Sequence, residues 1–188
     1  MSALYLCIGI CALIWVINGY WIRHAVQEHV ISEIYIHTGI GLFFTLLTVE
    51  LTVGAANTWP HLDISWLKQV GWLLFIPSAI LVFGSMMELR QKGAPGTNDP
   101  TDTTAFVDTG LFHIVRQPIT LGLSIWSVAL MLVFQSILSL ITGFILVYCF
   151  WTSARKESDY DIVKFGRKYE DYLVRVPMWN IFRGRIKR

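Results

Sequence analysis

The chain has 188 residues, of which 54% are hydrophobic and only 15% are charged, and its mean hydropathy is +0.54. Because soluble domains carry about 25% charged residues, this composition excludes a disordered or fibrous protein and argues against a water-soluble globule. The net charge of +2 and the crowding of basic residues into the C-terminal tail argue against nucleic-acid binding.

Three apolar segments in the first half of the chain are long enough to cross a bilayer, which takes about 20 residues. They cover residues 3–22, 31–56 and 66–88. The first has no basic residues before it and no small-residue cleavage site after it, so we expect a mature span rather than a signal peptide. The second carries Glu50, a carboxylate within a span; we expect it to serve as an internal hydrogen-bonding residue, and a functional role is the alternative.

The last apolar stretch, residues 119–151, is too long for one span and short for two. Gln135 and Ser136 interrupt it, which predicts a tight hairpin of two helices over residues 119–134 and 137–152. Each helix would rise about 24 Å. The sequence therefore predicts an all-α integral membrane protein with five transmembrane helices in a single domain over residues 1–188.

The basic residues predict the orientation, because cytoplasmic segments carry an excess of Lys and Arg. Ten of the 15 Lys and Arg residues follow Trp151. We therefore expect a cytoplasmic tail over residues 153–188, a cytoplasmic loop over 89–118 and an N-terminus outside. With no organelle signal, a prokaryotic inner membrane is the simplest location.

The tail has the pattern of an amphipathic helix. Ile162, Phe165, Tyr169 and Tyr172 recur at helical spacing with charges between them, and Gly166 interrupts or ends the first half. An interfacial helix with snorkelling cations is the plain interpretation.

The predicted hairpin suggests that the tail is part of a functional site. Both of its ends leave the same membrane face, so Arg116 and Glu157 should lie near each other on a cytoplasmic rim. Such a rim suits an amphiphilic substrate and a polar cofactor.

The two segments at this rim resemble motifs of the membrane methyltransferases that include isoprenylcysteine carboxyl methyltransferases and phospholipid N-methyltransferases. In that group a pattern like G-x-Y-x-x-x-R-H-P-x-Y-x-G precedes the last hairpin, and one like E-E-x-x-L-x-x-x-F-G-x-x-Y-x-x-Y follows it. The first pattern corresponds here to Gly110, Phe112, Arg116, Gln117, Pro118, Thr120 and Gly122. The second corresponds to Glu157, Ser158, Asp161, Phe165, Gly166, Tyr169 and Tyr172.

The resemblance implies methyl transfer from S-adenosylmethionine to a lipid-borne acceptor, either a prenylcysteine carboxylate or a phospholipid amine. It implies that the catalytic residues are Arg116 and Glu157. It implies that the cofactor is held by Gly110, Phe112, Val115, Gln117, Pro118, Glu157 and Tyr169. It implies that the substrate is held by Arg116, Tyr172 and Arg175. If the acceptor is an amine, Glu157 or Asp161 could take its proton.

Several positions depart from the family pattern. Phe112 and Thr120 replace tyrosines, and Gln117 replaces a histidine that contacts the cofactor. The alternative is therefore a catalytically degenerate methyltransferase-like scaffold that binds lipid or a membrane partner. A haem enzyme is a weaker rival, because only His37 is well placed within a span. The three cysteines have no metal-ligand spacing, and no metal site is predicted.

Overall fold

The computed structural model describes residues 2–56, 58–96 and 103–180, which form helices joined by short connections. The helices are α1 (Ser2–Gln27), α2 (Ile31–Thr52), α3 (Ser65–Lys92), α4 (Gly110–Ile114), α5 (Pro118–Phe134), α6 (Ile137–Phe165) and α7 (Arg167–Arg175), with a 3₁₀ turn at Gly54–Ala56.

Four of these helices, α1, α2, α3 and α6, are long and apolar enough to cross a membrane, and α5 is a shorter apolar helix of 17 residues. The all-α membrane architecture is thereby confirmed. Large apolar side chains such as Leu6, Val16 and Trp72 are more than 60% exposed. Lipid, rather than water, is the surrounding that suits apolar faces of this kind.

The predicted break at Gln135–Ser136 is confirmed, and its geometry is locally determined. Gln135 has a φ of 53°, which turns the chain at the end of α5. Ser136 and Ser139 then cap the start of α6 reciprocally, each hydroxyl accepting the backbone N–H of the other at 2.9–3.0 Å. These bonds satisfy N–H groups that the first turn of a helix leaves without partners.

The last span and the first part of the predicted tail are one helix. The sequence predicts that the span ends at residue 152, and α6 continues past this point to Phe165. Its 29 residues rise about 44 Å, against a hydrocarbon core of about 30 Å. The charged residues at its C-terminal end therefore lie beyond the hydrocarbon. The predicted interruption at Gly166 is confirmed: its φ is 59°, and α7 begins at the next residue.

The chain divides into two compact units, one of Met1–Phe75 and Ser124–Ser153, the other of Ile76–Leu123 and Ala154–Arg188. In the first unit α1 packs on α2: the Trp15 indole donates to Thr45 at 2.7 Å, and His37 Nδ1 is 2.9 Å from the Asn18 side-chain oxygen. Trp21 stacks on the imidazole of His37. His37 is thus part of the packing of these two helices.

The second unit contains both segments in which the sequence predicts a functional site. Its core includes a buried cluster around α7, consisting of Tyr169, Tyr172 and Val176, against which Phe106 and Phe165 pack. All the predicted site residues, from Gly110 to Arg175, belong to this unit.

Candidate functional site

The segment before α5 is joined to the chain after α7 by backbone hydrogen bonds. The N–H of Arg116 donates to the carbonyl of Pro177 at 2.9 Å, and the N–H of Gln117 donates to the carbonyl of Met178 at 3.3 Å. The two motif segments, about 60 residues apart in sequence, are therefore neighbours. The contact lies at Pro177 and Met178, whereas the predicted hairpin brings Arg116 near Glu157, earlier in the chain.

Arg116 adds a side-chain connection to the same place. Its Nη1 donates to the carbonyl of Val176 at 3.0 Å and to that of Leu173 at 3.4 Å. These carbonyls lie at the C-terminal end of α7, where a helix favours a positive charge. The Nε of Arg116 is buried and has no hydrogen-bond partner within the described residues. The guanidinium thus anchors α7 and keeps one donor available.

Tyr172 connects α7 to the segment before α5. Its side chain is 1% exposed, and its hydroxyl donates to the backbone carbonyl of Phe112. Burial raises the pKa of this hydroxyl above its ordinary value, so it remains a donor at neutral pH. We call the contacts of Arg116 and Tyr172 with the opposite segment, together with the two backbone bonds, the α7 clasp.

Phe106 lies at the centre of the aromatic side chains beside the clasp. Its ring centroid is 5.6 Å from that of Phe165, 6.0 Å from that of Tyr169 and 5.2 Å from that of Tyr172. Edge-on pairs at these distances are favourable. No periodic pattern in the loop around it marks this residue in the sequence.

Asp161 and Tyr169 form the polar part of this region. Asp161 is partly buried near the C-terminal end of α6, and burial raises the pKa of its carboxyl to about 6, against the opposing charges of Lys164 and Arg116. The Tyr169 side chain is 3% exposed, and its hydroxyl is buried with no hydrogen-bond partner among the described residues. Burial, and then the charge of Asp161, raise the pKa of Tyr169. The site therefore offers a carboxylate that changes protonation near neutral pH.

Gly110 and Glu88 form the start of α4. The Glu88 carboxylate accepts the backbone N–H of Leu111 at 3.0 Å and the hydroxyl of Thr109 at 2.9 Å, so it caps the helix from α3. Lys92 pairs with the same carboxylate at 2.8 Å. Gly110 has a φ of 53°, and a Cβ at this position would collide with the Glu88 carboxylate. The glycine is therefore required by local packing, whatever approaches it from outside.

The remaining residues of the first motif are held in the protein interior. Val115 is 1% exposed, and Pro118 is buried at the first position of α5, where the missing N–H costs little. The Thr120 hydroxyl accepts the indole N–H of Trp179 at 3.3 Å, and Trp179 is another residue that the sequence did not indicate. Gln117 is partly buried beside them.

Two predicted residues are placed less centrally. Glu157 is partly buried on α6, one turn before Asp161, and its proximity to Arg116 stays a prediction. Arg175 is 57% exposed and lies 3.6 Å from the Asp108 carboxylate, an ion pair at the surface. Among the residues that the structure describes, no group of three or more His, Cys, Asp or Glu side chains could hold a metal ion.

Comparison with known proteins identifies the family. The phospholipid methyltransferase family matches residues 66–168, which is more than half of the chain. This protein belongs to the phospholipid methyltransferase family. The match includes the segment from Gly110 to Pro118 and the end of α6 with Glu157 and Asp161, and it ends just before Tyr169.

Individual relatives are more distant. The chain is 25% identical over 143 residues to the protein-S-isoprenylcysteine O-methyltransferase of Homo sapiens and 23% identical over 143 residues to that of Xenopus laevis. Each comparison covers 69% of this chain and 50% of the relative, so the chain spans about half the length of the curated relatives it matches. No solved structure matches the chain.

Asp161, predicted above only as an alternative base for an amine acceptor, lies four residues before Phe165, so the two side chains share one face of α6. Gly166 ends that helix, so this periodicity does not extend to Tyr169 on α7. No comparable pattern marks Glu88 or Phe106, whose roles depend on tertiary contacts.

Proposed function

We propose that this protein transfers a methyl group from S-adenosylmethionine to a lipid-borne acceptor at the cytoplasmic face of the membrane. Membership of the phospholipid methyltransferase family supports the reaction type. The observation that carries the proposal is the α7 clasp, because it joins the two motif segments around Arg116 and places them beside Asp161 and Tyr169. Five hydrogen bonds hold this arrangement.

The groups near the clasp fit the amino-acid end of S-adenosylmethionine, which carries a carboxylate and an ammonium. The buried Nε of Arg116 lacks an acceptor among the described residues, and a carboxylate would supply one. Asp161, or Glu157 one turn away, would accept from the ammonium. When bound, the cofactor supplies an electrophilic methyl group on a positively charged sulfur. Gly110, Phe112, Val115, Gln117, Pro118 and Tyr169 are the other residues that we propose to surround it.

The acceptor is a prenylcysteine carboxylate or a phospholipid amine, and the two make different demands on Asp161. A carboxylate is ionised at neutral pH and needs no base. An amine must lose a proton, and a carboxyl whose pKa is about 6 can accept it at neutral pH. We propose that Arg116, Tyr172 and Arg175 orient the acceptor, with catalysis resting mainly on positioning.

The distribution of basic residues supports the proposed cytoplasmic side of the site. Exposed cations such as Arg167 and Lys168 lie on α7, beyond the hydrocarbon end of α6. Segments with this bias remain cytoplasmic. We therefore propose that the N-terminus lies outside and that the acceptor presents its headgroup from the inner leaflet.

The test is transfer of a labelled methyl group from S-adenosylmethionine by the protein in lipid nanodiscs. A farnesylated N-acetylcysteine and phosphatidylethanolamine are offered separately as acceptors, and label is counted in the organic phase. We expect transfer to one of them, and Glu157→Gln should reduce it at least about tenfold. Glu170→Gln is the matched control, since Glu170 is exposed on α7. Transfer to neither acceptor, together with no cofactor binding in isothermal titration, would refute the proposal.

A second candidate is a degenerate scaffold that binds lipid or a membrane partner without catalysis. The specific observation in its favour is that Phe112, Val115 and Tyr172 are buried and already packed within the protein. Isothermal titration separates the two proposals: a scaffold would show no binding of S-adenosylmethionine at millimolar concentration while still retaining lipid through purification.

A further inference from the structure

Glu50 is a buried carboxylate with half of its hydrogen-bonding capacity unused. It lies near the end of α2 in the first unit and is 2% exposed. Its Oε1 accepts the hydroxyl of Ser136, at the turn between α5 and α6, while its Oε2 has no hydrogen-bond partner within the described part of the chain. An ionised carboxylate away from water requires compensation by a donor or a cation. One neutral hydroxyl supplies little of it.

The unpartnered oxygen lies against the 3₁₀ turn that follows α2. A Cβ added to Gly54 would collide with Oε2, so the glycine leaves the space that this oxygen occupies. Trp59 follows in the same loop, and its indole N–H is also buried without a partner in the described residues. An unused acceptor and an unused donor therefore belong to one short segment.

Both groups line the same cavity, which has a volume of about 700 Å³. This is within the usual size of small-molecule sites, about 300–1,000 Å³. The wall is part polar and part apolar, and includes Glu50, Gly54, Trp59, His61, Lys68 and Phe134. Lys68 pairs with Asp63 at the exposed rim. The ammonium of Lys68 has three N–H donors, and this ion pair uses one of them.

The cavity has a fixed frame. His61 Nδ1 is 2.7 Å from the carbonyl of Phe134. The Gln135 side chain accepts the N–H of Ile64 at 2.8 Å and donates to its carbonyl at 2.9 Å. These bonds attach the loop between α2 and α3 to the turn between α5 and α6. The cavity is therefore pre-formed, which lowers the entropic cost of binding.

The chemistry of the walls defines the complementary ligand. The free oxygen of Glu50 can accept a hydrogen bond, the indole of Trp59 can donate one, and the cation of Lys68 favours an anionic acceptor. A phosphate joined to an ammonium by a short linker satisfies all three. Because the loop joins two membrane-spanning helices, the cavity lies at a membrane surface, where such groups are abundant as lipid headgroups.

We propose that this cavity binds a phosphoethanolamine group, with its ammonium at Glu50 and its phosphate toward Trp59 and Lys68. The site is separate in sequence from the proposed methyl-transfer site, and its occupation does not depend on that proposed function. The same headgroup chemistry could come from a membrane lipid or from a soluble ester, and the test distinguishes the two.

The test measures lipid retention by native mass spectrometry of the full chain. The lipids are phosphatidylethanolamine, its N-acetyl derivative, which lacks the ammonium, and phosphatidylglycerol. We expect phosphatidylethanolamine to be retained preferentially. Glu50→Gln keeps the shape of the side chain and removes its charge, so it should lower that retention about tenfold or more, the scale of one charge-assisted hydrogen bond. Glu28→Gln is the matched control, because Glu28 is an exposed carboxylate of the same unit.

A second variant keeps the proposal testable if Glu50→Gln fails to fold. Trp59→Phe preserves an aromatic wall and removes only the N–H donor, and it should also weaken retention. Soluble phosphoethanolamine is titrated against the lipid: competition shows a headgroup-only site, whereas lack of competition shows that the acyl chains are required. Equal retention of all three lipids, or unchanged selectivity in both variants, would overturn the proposal and indicate a water-filled cavity.

Discussion

Replacing Arg116 with Ala should loosen α7 as well as affect methyl transfer. The substitution removes an Nη1 donor that lies 3.0 Å from the carbonyl of Val176 and 3.4 Å from that of Leu173. A hydrogen bond from a charged donor contributes about 1.5–3 kcal/mol, and the longer contact contributes less. The loss of about 2–3 kcal/mol in local stability corresponds to about a 30- to 150-fold increase in local opening.

Hydrogen exchange measured by mass spectrometry can detect this opening. Peptides from α7 and the following residues should exchange about 30- to 150-fold faster in Arg116→Ala than in the wild type, while peptides from α2 should not change. Tyr172→Phe removes the other side-chain contact of the α7 clasp and should produce an effect in the same peptides. Lys168→Ala is the control, since Lys168 is an exposed cation on α7.

The same variants separate positioning from direct contact with the substrate. If Arg116 acts only by holding α7, the fall in kcat/KM of Arg116→Ala should follow the increase in the exchange of α7. If the unused Nε also binds cofactor or acceptor, Arg116→Lys should raise KM strongly even where exchange in α7 stays close to that of the wild type. Unchanged exchange in Arg116→Ala would refute the assignment of Arg116 to the clasp.

Two further predictions follow from the same unit. Burial raises the pKa of Asp161 from 3.8 to about 6, so the folded state retains this proton to higher pH than the unfolded state. The free energy of unfolding should therefore fall by about 3 kcal/mol as the pH rises from 4 to 6. Asp161→Asn should remove that fall, which is measured by comparing unfolding at pH 4 and pH 8. A pH-independent difference between the two proteins would contradict this. Gly110→Ala should cost about 1–2 kcal/mol for the positive φ and more for the collision of the added Cβ with the Glu88 carboxylate; a melting temperature equal to that of the wild type would exclude the Glu88 contact.

The sequence could predict the elements because their signals are local. A polar pair within an apolar stretch of 33 residues indicated the turn at Gln135, and a glycine at a break in helical periodicity indicated the end of α6 at Phe165. The helix does not end at residue 152, where we predict the end of the span. Polarity changes there, but polarity does not interrupt a helix, and residues 153–157 contain neither Gly nor Pro.

The interior of the candidate site could not be predicted in the same way. Glu88 looks like an ordinary charge at the end of a span, and only the fold reveals that it caps α4 twenty-three residues later. Phe106 likewise carries no periodic signal. Such residues are identified by what they contact, and contacts between segments distant in sequence are not encoded in spacing.

The α7 clasp also explains how the fold accommodates departures from the family motif. Tyr172 donates to the carbonyl of Phe112, and Gln117 takes part through its backbone N–H, so neither contact depends on the side chain at position 112 or 117. Thr120, in place of a tyrosine, is engaged by the indole of Trp179. Hydrogen bonds to backbone groups do not depend on the identity of the side chain. The architecture can therefore persist while the side chains proposed to face the cofactor change. The measurements that test catalysis directly are therefore those made on Asp161 and on the unused Nε of Arg116.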